Sequence, residues 1–232
     1  MKHATGPAIH SVHPWDPGNP EKGIRHQLLS EDESAKLAKI AQIVRFAKGQ
    51  EIYAKDTPAQ AAFNIIDGVV VASDAEHVIS FLYSGDLFGL SEEGRYANTT
   101  KAATPVTAYK MPMAAVRRIL ASNADIDVNL IIKLCEELRQ AQRHAVLLAQ
   151  KKAATKLAMF LGLQEHLQAA RGEPTSEIHL EMDRSSIAAY LGITLEALSR
   201  AFRSLTSKKL ISFRGRQHIT VLDRDAFNQM QG

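Results

Sequence analysis

Residues 183–205 read DRSSIAAYLGITLEALSRAFRSL, which predicts two short helices joined by a glycine turn. Asp183 is a suitable N-cap for the first helix, because its carboxylate can accept hydrogen bonds from the free backbone N–H groups there. Gly192 is expected to end that helix, since glycine enters the left-handed conformation at little cost. Thr194 is then placed to cap the second helix. The stretch therefore predicts a helix-turn-helix, the unit that lays a recognition helix in the major groove of DNA.

The second helix has an apolar side and a polar side. The apolar positions recur at three and four residues: Leu198, Ala201, Phe202 and Leu205. The outer face holds the side chains for which we predict contacts with base edges: Leu195, Glu196, Ser199 and Arg200. Arg200 presents a planar fork that matches guanine O6 and N7, and Glu196 can accept from a cytosine or adenine amino group. The alternative is a surface ion pair between Glu196 and Arg200 without a role in recognition.

Positive charge is concentrated around this motif. The whole chain has a formal net charge of +3, whereas residues 195–220 contain six basic residues and one acidic residue. Such a local basic surface is typical of contact with phosphate, although a solvated charged face is the alternative. We expect the DNA backbone to pass the following residues: Asp183, Arg184, Arg203, Lys208, Arg214 and Arg216.

The composition excludes several classes of protein. The chain has 232 residues, enough for one or two domains, and contains no apolar run of about 18 residues that predicts a membrane span. Residues 1–27 lack the apolar core of a signal peptide, so we expect a cytoplasmic protein. Cys135 is the single cysteine, which excludes an intramolecular disulfide. No dinucleotide, phosphate-loop, zinc-protease or serine-hydrolase motif occurs, so we predict that the protein is not an enzyme.

The chain divides into four predicted segments. Residues 1–27 form a flexible arm rich in glycine and proline, with four histidines whose irregular spacing predicts no metal site. Residues 28–111 are mostly β, residues 112–150 are helical, and residues 151–232 form the DNA-binding domain. In that last domain, residues 177–182 predict a strand and residues 223–230 a final helix. Residues 210–213 and 218–222 predict a hairpin, that is, a wing beside the recognition helix.

The β segment consists of short β-branched and aromatic runs separated by glycines. After a predicted amphipathic helix at 28–43, the predicted strands are 44–46, 51–54, 63–66, 69–72, 78–83 and 104–110. Asp67-Gly68 lies between two of these strands and is a hairpin signal. Short strands at regular spacing predict a sandwich, roll or barrel.

The helical segment has an apolar stripe with the spacing of a coiled coil. Steps of three and four residues join Ile131, Leu134, Leu138, Ala141, Ala145 and Leu148. We predict a homodimer through this stripe, because a two-fold symmetric protein matches a palindromic DNA site. The alternative is that the stripe packs on its own domain.

A β-roll, a long helix and a C-terminal winged helix, in this order, resemble the CRP/FNR superfamily of bacterial regulators over roughly residues 30–225. The most specific part is Glu196 with Ser199-Arg200, which is most similar to the FixK branch. The resemblance implies an α+β fold: an N-terminal jelly roll of the cyclic-nucleotide-binding kind, a long dimerisation helix and a C-terminal winged helix-turn-helix. It also implies inverted TTGA-type half-sites, contact with RNA polymerase, and activation of low-oxygen, microaerobic genes such as those of nitrogen fixation.

The resemblance implies no cofactor and no small-molecule effector. The superfamily's cyclic-nucleotide site uses an acid after a glycine and an arginine anchor, and neither falls in register between residues 85 and 102. The chain also lacks the cysteine-rich N-terminus of the iron–sulfur sensors, as FixK-type regulators do. The alternative is a haem- or ligand-dependent sensor of the same superfamily, with His77 in a predicted hairpin at 73–77 as the candidate ligand.

Asp183 departs from this resemblance, because the family usually has a small uncharged residue just before the first helix of the motif. An aspartate suits the positive end of a helix. It also repels a phosphate that passes there, so we predict weaker DNA binding than with a serine at this position.

Overall fold

The structure is a computed structural model that describes residues 10–11, 26–27, 41–91, 93–120 and 124–231. Its strands are β1 (His10–Ser11), β2 (His26–Gln27), β3 (Gln42–Phe46), β4 (Glu51–Tyr53), β5 (Ala61–Asp67), β6 (Val70–Asp74), β7 (His77–Leu82), β8 (Leu87–Phe88), β9 (Thr99–Ala102), β10 (Val106–Pro112), β11 (Ile178–His179), β12 (Ile211–Arg214) and β13 (His218–Val221). Its helices are α1 (Met113–Leu120), α2 (Ala124–Ala149), α3 (Ala153–Ala170), α4 (Arg184–Leu191), α5 (Leu195–Ser207) and α6 (Arg224–Gln229).

The β segment folds into two four-stranded antiparallel sheets around an apolar core. Strands β3, β10, β5 and β8 form one sheet in this order, and β4, β9, β6 and β7 form the other. The ring of Tyr53 in the second sheet packs against Phe63 and Phe88 of the first sheet, with ring centroids 6.1 Å apart in both pairs. Buried and more exposed positions alternate over residues 77–79 of β7 and 106–109 of β10. The predicted β-roll is confirmed.

The predicted hairpin at Asp67-Gly68 is wrong. Strands β5 and β6 flank this turn, but they belong to different sheets. A Cβ on Gly68 would lie 2.3 Å from the carbonyl oxygen of Pro105, so the turn needs glycine for space as well as for its φ of +95°. The turn is therefore a corner between the sheets. The hairpin predicted at 73–77 is confirmed, since Asp74 pairs with His77 across the β6–β7 turn.

Part of the N-terminal prediction can be compared with the structure. Most of the predicted arm at 1–27, and residues 28–40 of the predicted helix at 28–43, lie outside the described residues. Gln42 and Ile43, at the end of that predicted helix, belong to β3 instead. Ile43 pairs with Tyr109 of β10, so pairing with a distant strand overrides the local helical pattern at these two positions.

The chain separates into two units, and the division falls inside α2 between Glu137 and Leu138. The predicted domain boundaries after residues 27, 111 and 150 stay predictions. The second unit contains the three-stranded sheet β11-β13-β12 and helices α3 to α6. Its fully buried side chains include Phe160, Ile187, Leu191, Leu205 and Phe227. In the described ranges, no helix combines the length and the hydropathy needed to cross a membrane.

The elements predicted in the second unit are present, and one of them is much shorter than predicted. The strand predicted at 177–182 is limited to Ile178–His179, because only these two residues pair with β13. The predicted wing is confirmed as the β12–β13 hairpin, in which Arg214 pairs with His218. The predicted final helix is confirmed as α6, and Asp223 caps it by accepting a 3.0 Å hydrogen bond from the Ala226 N–H.

Candidate nucleic-acid interface

Local capping chemistry defines both helices of the helix-turn-helix. The Asp183 carboxylate accepts from the Ser186 N–H at 2.7 Å and from the Ser185 hydroxyl at 2.8 Å, so it caps α4. Gly192 ends α4 in the left-handed conformation, with φ of 60° and ψ of 43°. The Thr194 hydroxyl accepts from the Ala197 N–H at 3.1 Å and caps α5. These contacts confirm the three caps that the sequence predicted.

Helix α5 buries one side and exposes the other, as its sequence predicts. The inner side chains are at most 7% exposed: Leu198, Ala201, Phe202 and Leu205. The four side chains for which we predict base contacts all lie on the exposed face: Leu195, Glu196, Ser199 and Arg200. The Ser199 hydroxyl donates to the Leu195 carbonyl at 2.9 Å, which leaves its oxygen lone pairs available to accept.

Glu196 and Arg200 are one turn apart on that face, yet they do not form an ion pair. In the part of the chain that the structure describes, neither side chain has a salt bridge or a hydrogen bond to a protein group. This arrangement counts against the alternative of a surface ion pair. It leaves a carboxylate acceptor and a guanidinium donor both directed to solvent on the helix that a helix-turn-helix presents to the major groove.

The exposed cations predicted to face the DNA backbone differ in whether they are bonded to another side chain. Arg203, Lys208 and Arg216 are exposed. Arg214 is also exposed, but its guanidinium holds the carboxylate of Glu177 with both Nε and Nη2. This contact raises the pKa of Arg214 and lowers the pKa of Glu177, since each charge stabilises the other.

Arg184 lies apart from the exposed cations. Its guanidinium carbon is 3.8 Å from the centroid of the Phe202 ring, and its Nη2 donates to the Arg216 carbonyl at 3.2 Å. Burial lowers the pKa of Arg184, because desolvation disfavours the charged form. Its predicted phosphate contact stays a prediction, and the surroundings of its side chain suit a structural role.

A groove of about 680 Å³ runs beside the recognition helix. It brings Arg200 and Lys208 together with Lys152, which our sequence reasoning missed. Lys152 directly precedes α3, and its side chain is exposed. The Lys151-Lys152 pair directly before a helix was the available sequence signal. Three cations in one groove provide positive charge that suits contact with a polyanionic backbone.

The C-terminal end of α4 is held by side chains of two other helices. The Lys156 ammonium group, in a residue only 8% exposed, donates to the Leu191 carbonyl at 3.0 Å. His144 Nε2 lies 2.8 Å from the Tyr190 carbonyl oxygen, and its ring stacks on the Tyr190 ring at a centroid distance of 4.0 Å. A cation near the negative end of a helix is stabilising. Sequence reasoning missed both residues, although a lysine inside the apolar stripe of α3 was a signal.

The interior of the β-roll is filled with aromatic side chains. Tyr96 stacks on Tyr53 with ring centroids 3.7 Å apart, and its hydroxyl donates to the Ala61 carbonyl at 2.7 Å. Arg95 is exposed, and its guanidinium donates to the Asp56 carbonyl. His77 is exposed at the first position of β7. These positions give neither a cyclic phosphate nor a haem an evident ligand from Arg95 or His77.

Two family models match the chain. The cyclic nucleotide-binding domain matches residues 43–123, and the Crp-like helix-turn-helix domain matches residues 155–230. The nitrogen fixation regulation protein FixK of Bradyrhizobium diazoefficiens is 29% identical over 168 residues, which cover 70% of each chain. The transcriptional activatory protein AadR of Rhodopseudomonas palustris is 28% identical over 179 residues, or 75% of this chain and 74% of that protein. The structure of FixK2 from Bradyrhizobium japonicum matches with a TM-score of 0.75 and 26% identity, over 83% of this chain and 98% of that one.

A β-roll of the cyclic-nucleotide-binding kind with a C-terminal winged helix-turn-helix defines a DNA-binding transcription regulator, not an enzyme. The chain belongs to the CRP/FNR family of these regulators, and it is similar to FixK-type members of that family.

Proposed function

We propose that the protein binds DNA as a homodimer at inverted TTGA-type half-sites and needs no small-molecule effector. It acts mainly as an activator of low-oxygen genes in the cytoplasm, through contact with RNA polymerase. The observation that carries this proposal is the exposed face of α5, where Glu196 and Arg200 are both unpaired. The names of the relatives, a nitrogen fixation regulator and an activatory protein, support the regulatory part.

The surface of α2 supports a homodimer. Four members of the predicted stripe lie in the second unit, and all four are exposed: Leu138, Ala141, Ala145 and Leu148. Leu138 is 60% exposed and Leu148 is 43% exposed, whereas Leu147, next to Leu148, is 3% exposed and packs inward. The side chains of Ile131 and Leu134 lie outside the described residues. An exposed apolar stripe with heptad spacing is typical of a helix that pairs with a second copy.

The packing of the β-roll supports an effector-free regulator. Tyr53, Phe63, Phe88 and Tyr96 belong to one buried cluster, with exposed fractions of 9% or less. Gly89 continues the loop after β8, and a Cβ there would lie 3.2 Å from the Ala61 carbonyl and 3.3 Å from the Tyr53 ring. A nucleotide that entered the interior of the roll at this cluster would have to displace packed side chains, and the loss of such packing is unfavourable.

Fluorescence anisotropy of the protein without added ligand tests this function. We compare a labelled duplex that carries two inverted TTGA half-sites with a scrambled duplex, from 50 to 300 mM salt. We expect the first duplex to bind at least roughly a thousandfold more tightly, which is the lower range for specific regulators. Equal and weak binding to both duplexes would contradict the proposal. Specificity that arises only after cyclic nucleotide or haem is added would favour the ligand-dependent alternative.

Replacing Asp183 by serine should strengthen DNA binding. Serine caps a helix as well as aspartate does, so the Ser186 N–H keeps an acceptor and α4 keeps its start. The substitution removes one negative charge from the surface where the DNA backbone is expected. An exposed charge interaction of about 0.2–1 kcal/mol corresponds to a gain of up to about fivefold in affinity for each protomer, which should shrink as salt rises.

Asp223 provides a matched control for this variant. It caps α6 in the same way, through a 3.0 Å hydrogen bond from the Ala226 N–H, and it is not among the residues predicted to meet DNA. Asp223→Ser should therefore leave the affinity unchanged in the same anisotropy titration. Unchanged affinity of Asp183→Ser at 50 mM salt would contradict the predicted repulsion.

A further inference from the structure

Arg184 occupies a site where three structural elements meet. It is the first residue of α4, and its guanidinium carbon lies 3.8 Å from the Phe202 ring centroid and 5.4 Å from the Phe213 ring centroid. Phe202 belongs to the recognition helix α5, and Phe213 belongs to the wing strand β12. The two rings contact each other with centroids 5.4 Å apart. Arg184 therefore lies against the recognition helix and the wing at the same time.

The hydrogen bonds of Arg184 also point to the wing. Its Nη2 donates to the carbonyl oxygen of Arg216, in the turn that joins β12 to β13. Its Nη1 is shielded from solvent and makes no hydrogen bond to the described residues. A guanidinium held in this way has little left to offer a phosphate. The arrangement instead suits the planar arginine head group, which stacks on rings and donates in its own plane.

The wing is also held to the segment before α4, because Arg214 binds Glu177, the Leu180 N–H donates to the Gln217 carbonyl at 2.8 Å, and the His218 ring stacks on His179. Its strands are four residues each, and β11, the third strand of the sheet, contributes only two. Phe213 is 38% exposed, so its ring is stabilised mainly by the contacts with Arg184 and Phe202. Among these contacts, those of Arg184 and Phe202 join the wing to the two helices of the helix-turn-helix. The orientation of the Arg216 side chain therefore depends on the contacts that hold the β12–β13 turn, and the hydrogen bond from Arg184 is one of them.

We propose that Arg184 is a positioning residue that fixes the wing against the recognition helix, so that Arg216 reaches the DNA backbone, and that it does not itself contact a phosphate. This inference rests on the proposed DNA binding. It also makes a prediction that does not involve DNA, because the wing should loosen whenever the planar guanidinium is lost.

The test compares Arg184→Lys and Arg184→Met with the same two substitutions at Arg203. Arg203 is exposed on α5, has no partner among the described residues, and is predicted to contact a phosphate. Each phosphate contact that is lost reduces the ratio of Kd at 200 mM salt to Kd at 50 mM salt by about 3.5-fold. Arg203→Lys should leave this ratio unchanged, and Arg203→Met should lower it by about 12-fold, because a homodimer loses two such contacts.

At Arg184 the two substitutions should behave alike. Arg184→Lys removes no charge, yet it should lower the ratio by about 12-fold, because the contact of Arg216 is lost in both protomers. In an Arg216→Met background the same substitution should have no further effect on the ratio. Amide hydrogen exchange at residues 212–218, measured without DNA, should be faster in Arg184→Lys and in Phe213→Leu than in the parent protein.

A lysine variant that keeps both the parental salt ratio and the parental exchange rates would overturn the proposal and identify Arg184 as a direct phosphate contact. The exchange measurement separates this failure from a failure of the proposed function, since it reports on the wing even if the parent protein binds no TTGA duplex. Phe213→Leu keeps the test decisive if Arg184→Lys does not fold, because residue 213 is partly exposed and tolerates a smaller side chain.

Discussion

Replacing Leu138 and Ala145 together by aspartate should produce a monomer and lower the affinity for a duplex with two half-sites by about 10²- to 10⁴-fold. Both side chains are exposed on the second unit and lie seven residues apart on the predicted stripe. In a homodimer the substitution places four like charges at one apolar seam, where their repulsion and desolvation are both unfavourable. Each recognition helix then binds its half-site independently, and the effective concentration that links the two binding events is lost.

Leu148 is left unchanged in this variant for a structural reason. A Cβ built on Gly192 would lie 3.2 Å from Cδ2 of Leu148, so Leu148 also packs beside the turn of the helix-turn-helix. The matched control is Val146→Asp, because Val146 is 55% exposed on the same helix but lies off the stripe. Sedimentation equilibrium should give the monomer mass of 25.5 kDa for the double variant and twice that mass for the control.

A titration with a single half-site shows whether the effect comes from dimerisation. The double variant and the parent protein should bind such a duplex with similar affinity, since α5 is unchanged in both. A double variant that is monomeric but binds the palindromic duplex as tightly as the parent would contradict the dimer proposal. A parent protein that sediments as a monomer at micromolar concentration would contradict it as well.

The helix-turn-helix could be predicted from the sequence because each of its signals is local. Asp183, Gly192 and Thr194 act on backbone groups within three or four residues of themselves, and each makes the predicted contact. The β-roll was predictable as a class of fold but not in its strand order. Asp67-Gly68 specifies the conformation of a turn, and it does not specify whether the next strand pairs with the previous one. That choice depends on β9 and β10, which lie more than thirty residues further along the chain.

The basic surface was predictable in its position but not in the role of each cation. The sequence places Arg184 and Arg214 near the recognition helix, as the structure does. Their partners are distant in sequence, since Arg214 holds Glu177 and Arg184 donates to the carbonyl of Arg216. The charge of an arginine does not show whether its guanidinium is available to a phosphate or is already bonded to another residue of the protein. Lys152 was missed for the opposite reason, because only the fold brings it beside Arg200.

Arg200→Ala should remove most of the preference for the TTGA duplex. A bidentate contact with guanine is worth about 1–3 kcal/mol of discrimination, and a palindromic site contains two of them. The smallest loss expected in affinity for the specific duplex is therefore roughly 30-fold. Affinity for the scrambled duplex should change much less, because in that complex Arg200 contributes only its charge. Anisotropy titrations of both duplexes under identical salt measure the two effects.

Arg203→Ala is the matched control, since it removes the same side chain from the same exposed helix three residues further on. If Arg203 contacts the backbone, its loss weakens binding to both duplexes by the same factor and leaves the preference unchanged. Glu196→Gln completes the set, because glutamine keeps the acceptor oxygen but loses the charge that selects a cytosine or adenine amino group. An Arg200→Ala variant that lost affinity equally for both duplexes would make Arg200 a phosphate contact, and base recognition would then have to come from the remaining outer side chains of α5.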